Sequence, residues 1–377
     1  VVGAPAITVN VGNQGDGKGT VLWWGHFDPE YSRNRILRQV LANFGWSVRD
    51  FHPRSSALGD LEATLRGIET PALVWVPCFR QRDLAAASRF CRRWGVPLLA
   101  DPLISAFDKQ VFERGKFSAD SFRGQWLRRK ESALLARADC LLADTWSHAE
   151  FFRDALAVPG DRIFVVPVGA EEGLFRPVSF SPRKPEVPLE ILFFGSFIPL
   201  QGPQFIVEAA RLYRGPAVRW RLIGEGPLLA ECKNRASGLS QVSFEPWVPY
   251  AELPQRIASA DILLGVFGTT PKAGRVIPNK VYQAAACARP LVTMGAPAYP
   301  EALLGATDSG FSWVPAGDPA ALAAAVAVLA ADRDGLPSRG AAARASYEAY
   351  LSVAHIRRQL AAALASLGFT DSKQRRS

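Results

Sequence analysis

The chain has 377 residues, of which 48% are hydrophobic and 21% charged, and a formal net charge of +9. That length suits two domains of roughly 150 to 200 residues, and no apolar run approaches the roughly 20 residues a membrane-spanning helix requires. The cationic surplus points to an acidic partner, whether nucleotide, nucleic acid or anionic lipid, without choosing among them.

Five cysteines (Cys78, Cys91, Cys140, Cys232, Cys287) are scattered with no C-x-x-C spacing. Neither a zinc site nor a disulfide framework is expected, and a reducing cytoplasm fits. The opening "VVGAPAITVNVGNQGDGKGT" lacks the basic start and continuous apolar segment of a secretory signal. Within it Gly12, Gly17 and Lys18 have P-loop spacing, but Gly19 stands where a magnesium-ligating Ser or Thr belongs, and a strand rather than a helix is expected next.

In chain order, "TVLWWG", "WSVRDF", "ALVWV", "VPLLA", "CLLAD" and "RIFVVPVG" read as strands. Between them fall amphipathic patterns, notably "NRILRQVLANFG", "DLAAASRFCRRWG" and "SFRGQWLRRKESALLARA". Arg80, Arg82, Arg89, Arg92 and Arg93 cluster first. Lys109, Arg114, Lys116, Arg123, Arg128, Arg129 and Lys130 follow, interleaved with Phe112, Phe117, Phe122 and Trp126. Cations mixed with large rings suit a peripheral contact with an anionic membrane face. The same pattern also fits a solvated helix face with its rings turned inward.

"RPVSFSPRKPEVP", with four prolines, is the linker expected over 176–188. Beyond it the alternation restarts with "EILFFG", "VRWRLIG", "QVSFEPW", "DILLGV", "PLVTM" and "GFSWVP" as strands, then alanine-rich helices and a tail over 368–377 expected to be disordered. Alternating strands and helices on either side of a linker predict an α/β protein of two doubly wound, Rossmann-like domains facing each other across a cleft, with ligand groups at the carboxyl ends of the strands.

Three glycine turns follow strands in the second half: Gly195 in "FFGSF", Gly224 and Gly226 in "LIGEGP", and "GVFGTTPKAGRVIPNK". Glycine admits close backbone approach, and a following helix N-terminus offers free N–H groups to an anion. Pro278 suits helix entry, and Lys272, Arg275 and Lys280 share one segment, so two or three cations can converge on a phosphate there. A basic surface loop is the plainer reading of the same segment.

The succession "LIGEGPLLAE", "VSFEPWVPYAELPQRIASADILLGV" and "IPNKVYQAAACARPLV", preceded by "VVPVGAEEGLFRP", resembles the family 4 glycosyltransferases. That resemblance implies a GT-B fold and retaining transfer from a nucleotide sugar, with no metal and no further cofactor. It also implies an acceptor domain over 1–175, a nucleotide-sugar domain over 189–345, and a C-terminal helix, about 346–367, packing back on the first domain. Where the family commonly has G-R-x-x-x-x-K-G this chain has "GSFIPLQG", so Ser196 replaces the arginine and Gln201 the lysine that hold the donor diphosphate. In the Glu-x7-Glu motif Arg275 replaces the first glutamate and Gln283 the second, which binds ribose hydroxyls. Gln283 still offers a neutral acceptor.

The donor is therefore expected against Gly195, Ser196, Gln201, Gly202, Gly224, Glu225, Gly226, Val248, Lys272, Pro278, Asn279, Lys280, Tyr282 and Gln283. Lys280 and Arg275, with backbone N–H groups near Ser196, Gly202, Asn279 and Lys280, are expected to stabilise the departing diphosphate. In the first strand-to-helix turn His26, Asp28, Arg33, Asn34 and Arg35 are expected to face the cleft. Asp101 stands where the family often has a histidine, either orienting a sugar hydroxyl or capping the next turn; Asp144 and Thr145 are weaker candidates of that kind.

The expected function is transfer of a sugar from a UDP-, GDP- or dTDP-sugar to a saccharide or lipid-linked acceptor in bacterial polysaccharide or glycoconjugate synthesis, in the cytoplasm or at the inner membrane face. A catalytically weakened relative, binding nucleotide or glycan within an assembly, is the alternative that Ser196, Gln201 and Gln283 permit. Nucleic acid is not an expected partner, for no recognition motif accompanies the charge.

Overall fold

A computed structural model describes residues 18–370. Gly12 and Gly17 of the P-loop-like stretch and residues 371–377 of the tail lie outside them; Lys18 and Gly19 lead directly into the first strand. All twelve apolar runs read as strands form strands. The first six are β1 Thr20–Trp24, β2 Ser47–Phe51, β3 Leu73–Val76, β4 Leu98–Ala100, β5 Cys140–Ala143 and β6 Ile163–Val165. They make one sheet of order β2-β1-β3-β4-β5-β6. The second six are β7 Leu189–Phe194, β8 Val218–Ile223, β9 Val242–Glu245, β10 Ile262–Leu264, β11 Leu291–Met294 and β12 Phe311–Val314, in the order β12-β11-β10-β7-β8-β9.

Every strand pairing is parallel. Parallel strands need helical crossovers that cover both faces, so their sequences are nearly continuous apolar runs rather than alternating ones. In β7 all six residues are buried. The two faces still divide by residue parity. In β1, Leu22 and Trp24 pack with Phe90 and Leu141, while Val21 and Trp23 pack with Ile36, Trp75 and Leu360.

Strand order reverses between β1 and β3 in the first sheet and between β7 and β10 in the second. Diverging crossovers open a crevice at such a point, just beyond the carboxyl ends of the strands. The helix Leu336–Tyr350 packs on the helix Asn279–Ala286 of the second unit, and the chain crosses back to the first sheet with Val353–Ser366. The C-terminal helix expected over about 346–367 thus starts later, at Val353. Ser352 separates it from the helix Leu336–Tyr350 because its side chain accepts the His355 N–H as a helix cap.

Candidate active site between the two sheets

A cavity of about 450 Å³ lies where the two sheets' carboxyl ends face each other. The second unit contributes Gly195, Ser196 and Gln201 after β7 and Lys272, Pro278, Asn279, Lys280 and Gln283 from the segment after β10. The first contributes Tyr31, Leu103, Ile104, Glu113 and Asp144. The volume and the mixture of apolar walls with a few convergent polar groups are those of a small-molecule site.

The glycines are required by backbone contact. A Cβ on Gly224 would lie 2.0 Å from the Gly195 carbonyl oxygen, and one on Gly226 would lie 2.6 Å from that of Phe197. Gly195 brings a cation close, for its Cβ would stand 2.7 Å from Nζ of Lys280. Gly202, at φ 69°, precedes the helix Pro203–Leu212, and its N–H is already spent on the Ile198 carbonyl. Gly202, Gly224, Glu225, Gly226, Val248 and Tyr282, expected at the donor, shape the turns or core behind the cavity rather than lining it. Buried Tyr282 accepts the Val168 N–H at 3.4 Å.

The three expected cations part company. Lys272 donates to Glu113 at 2.5 Å, and Arg275 pairs with Asp108 while lying over the rings of Phe112 and Phe151. Both acids come from the first unit, so these are contacts across the cleft. Arg275 does not line the cavity, contrary to its expected role on the diphosphate. Lys280 pairs with no carboxylate among the described residues. Its Nζ donates to Oε1 of Gln201 at 2.5 Å and stands 3.6 Å from the ring centroid of Phe193. Burial pushes its pKa well below the ordinary lysine value.

Pro278 occupies the cap position of the helix Asn279–Ala286, one residue earlier than the expected first turn. The first helix N–H to find a carbonyl there is that of Val281, on Pro278. Those of Asn279 and Lys280 therefore remain available beside the Lys280 ammonium. Gln283 lines the cavity and donates to the Tyr250 hydroxyl at 3.3 Å.

On the first unit the expectations fail at Asp101 and at His26, Asp28, Arg33, Asn34 and Arg35 of the first turn, none of which lines the cavity. The Asp101 carboxylate is wholly buried and takes three hydrogen bonds of 2.8 to 2.9 Å from Arg33, whose guanidinium also reaches the carbonyls of Val166 and Pro167. It lines no part of the cavity, and its partner is the arginine that the first turn was expected to present to the cleft. His26 is exposed, bonded through Nε2 to the Pro53 carbonyl at 2.8 Å and stacked on His52. Asn34 is buried on the Asp28 carbonyl, and Arg35 pairs with Glu30 and Glu171. From this turn it is Tyr31 that reaches the cavity.

Asp108, Glu113 and His148 went unread in the sequence. Asp108 and Glu113 are five residues apart, about 140° around an α-helix. The segment Asp108–Glu113 is instead a π-helical turn, in which both acids reach the second unit. His148 is buried, with Nδ1 2.6 Å from Oδ1 of Asp144 and Nε2 3.8 Å from Asp108. The spacing Asp144-x-x-x-His148 on a helix start was the available signal.

Two parallel six-stranded sheets with a cleft at their carboxyl ends define the GT-B class of α/β fold. Residues 188–332 match the family model described as Glycosyl transferases group 1. A D-inositol 3-phosphate glycosyltransferase of Segniliparus rotundus is 27% identical over 177 residues, 43% of this chain and 38% of that protein. One from Acidothermus cellulolyticus is 38% identical over 85 residues, 21% of this chain and 19% of the relative. The chain thus aligns with well under half the length of these relatives. Among solved structures, Anabaena HepE in complex with UDP and glucose superposes with a TM-score of 0.69 at 17% identity, covering 92% of this chain and 100% of that one. Sucrose-phosphate synthase of Thermosynechococcus elongatus gives 0.70 at 17% identity, covering 93% and 99%.

Proposed function

We propose that this protein is a retaining glycosyltransferase that moves a sugar from a nucleotide sugar to a saccharide or lipid-linked acceptor in glycoconjugate synthesis. The observation that carries the reading is Lys280: a buried ammonium without a carboxylate partner among the described residues, at a helix N-terminus, against the glycine turn of the strand-order reversal. A buried cation so placed is stabilised by an anion, and a diphosphate is the anion that the turn and the cavity's volume suit. As the bond from the anomeric carbon to the diphosphate breaks, negative charge grows on the bridging oxygen. Lys280 and the N–H groups of Asn279 and Lys280 supply the positive charge that a metal would otherwise supply.

The group 1 model match and the relatives' names support sugar transfer, and the UDP in HepE makes UDP-sugars the first donors to test. A lipid-linked acceptor suits the helix Phe122–Leu135, where Phe122 and Trp126 are exposed beside Arg123, Arg129 and Lys130.

Thermal-shift measurements with UDP-, GDP-, dTDP- and ADP-sugars identify the donor, since a ligand of the native state raises Tm by mass action. Release of free sugar then measures turnover. Lys280→Ala is expected to lower that turnover at least about a hundredfold; near-normal turnover in this variant would sink the assignment. Binding without turnover in the wild type, across donors and acceptors, would instead identify a weakened relative that holds nucleotide or glycan for a partner.

A further inference from the structure

The side chains lining the cavity include four charged groups: Glu113, Asp144, Lys272 and Lys280. Glu113 and Lys272 neutralise each other. What remains is one cation on the second unit and one carboxylate on the first, on opposing walls. Lys280 is matched to a diphosphate. The carboxylate needs donors, and the sugar attached to that diphosphate is a polyol that has them.

Asp144 follows β5 directly, one strand beyond the β4 end that carries Asp101. The two differ in what holds them. Asp101 is saturated by Arg33, whereas Asp144 forms no ion pair or hydrogen bond with an arginine or lysine among the described residues and feels Arg33 only at longer range. One oxygen, Oδ1, is fixed by Nδ1 of His148 at 2.6 Å, and no hydrogen bond is made to the other among the described residues. His148 is itself clamped: stacked 4.8 Å from Phe152, backed by Asp108, and on a helix whose first turn is capped by Thr145. Thr145 also donates to the Arg275 carbonyl at 2.5 Å, so Asp144 adjoins a point where the two units touch. A carboxylate oriented through one oxygen and open at the other is suited to accept from hydroxyls.

We propose that Asp144 accepts hydrogen bonds from hydroxyls of the donor's sugar and sets which sugar is taken, with His148 as the residue that positions it. This rests on the nucleotide-sugar reading. The separating experiment compares two ligands, UDP and UDP-glucose, or the matched pair for whichever base raises Tm, by calorimetry. In Asp144→Asn the nucleotide sugar is expected to bind about tenfold more weakly while the free diphosphate keeps its affinity. His148→Ala should lose part of the same increment, and His148→Asn, whose amide N–H falls near the place of Nδ1, should recover it.

Equal weakening of both ligands would mark Asp144 as a structural group, and unchanged affinity for both would remove it from the site; either result overturns the proposal. If the wild type binds neither member of any pair, it is the nucleotide-sugar reading itself that fails.

Discussion

The proposed diphosphate site turns on Lys280, and its lowered pKa has a consequence of definite sign. Burial disfavours its ammonium, so above the lowered value the free protein holds this side chain neutral. A bound diphosphate favours the charged form and raises the pKa again. Below both values Lys280 is charged with or without ligand, and affinity is independent of its titration. Between the lowered value and the ordinary lysine value of 10.5, binding takes up a proton and affinity falls as pH rises. Calorimetry at about pH 9 in two buffers of different ionisation heat should show net proton uptake that Lys280→Met abolishes; its absence in the wild type would contradict the placement. Gln201, which looks in sequence like a lost cation, is in the structure the acceptor that holds Lys280 at the turn.

The helix Phe122–Leu135 works on two sides. Inward, Glu131 accepts from the Ser105 hydroxyl and from the N–H groups of Ala106 and Phe107 at 2.7 to 2.8 Å. It thereby fixes the start of the π turn that carries Asp108 and Glu113. Outward, Phe122 is 86% and Trp126 53% exposed, an unusual cost in water for two large rings one helical turn apart. The mixture of rings and cations read from the sequence thus divides. Phe112 packs on Phe107 and Phe151, while Phe122 and Trp126 stay out among arginines. Sedimentation with vesicles containing anionic phosphatidylglycerol should carry the protein down, and Phe122→Ser with Trp126→Ser should reduce binding at least about tenfold. Equal sedimentation with neutral vesicles would argue against an electrostatic membrane contact.

Across the whole molecule, Lys272–Glu113 and Arg275–Asp108 tie the two units together, the first of the two pairs in the cavity wall. An incoming anion must compete with Glu113 for Lys272. Replacing Glu113 with Gln leaves Lys272 unneutralised beside the cavity, so the free nucleoside diphosphate should bind several-fold more tightly, about 0.5 to 1.5 kcal/mol. The same variant loses a contact between units, and its Tm without ligand should fall. Weaker nucleotide binding, measured by calorimetry, would show that the pair shapes the site rather than competing for it.

Strand runs, crossover helices and the glycine turns were legible because each depends on local pattern: a parallel strand covered on both faces must be apolar throughout, and a backbone in contact with another backbone must lack a Cβ. The residues gathered at the cavity from the second unit were legible in part for the same reason, since Gly195 sits at a strand end, Pro278 and Lys280 at a helix start, and Lys272 in the loop leading to it. Their partners were not. Asp101 and Asp144 both follow apolar strands and look alike in sequence; only the arrival of Arg33 from another helix closes one and leaves the other open. Likewise Arg275 and Lys280 are two cations of one segment, separated in role by Asp108, which lies 167 residues from Arg275 and reaches it only through the packing of the two units. The α/β alternation, the two sets of strands and the turns follow from chain order, because backbone geometry and burial act over a few residues. Which charges are paired and which stay unpaired among the described residues emerges only on folding, because pairing depends on distance in space and on burial that chain order does not encode.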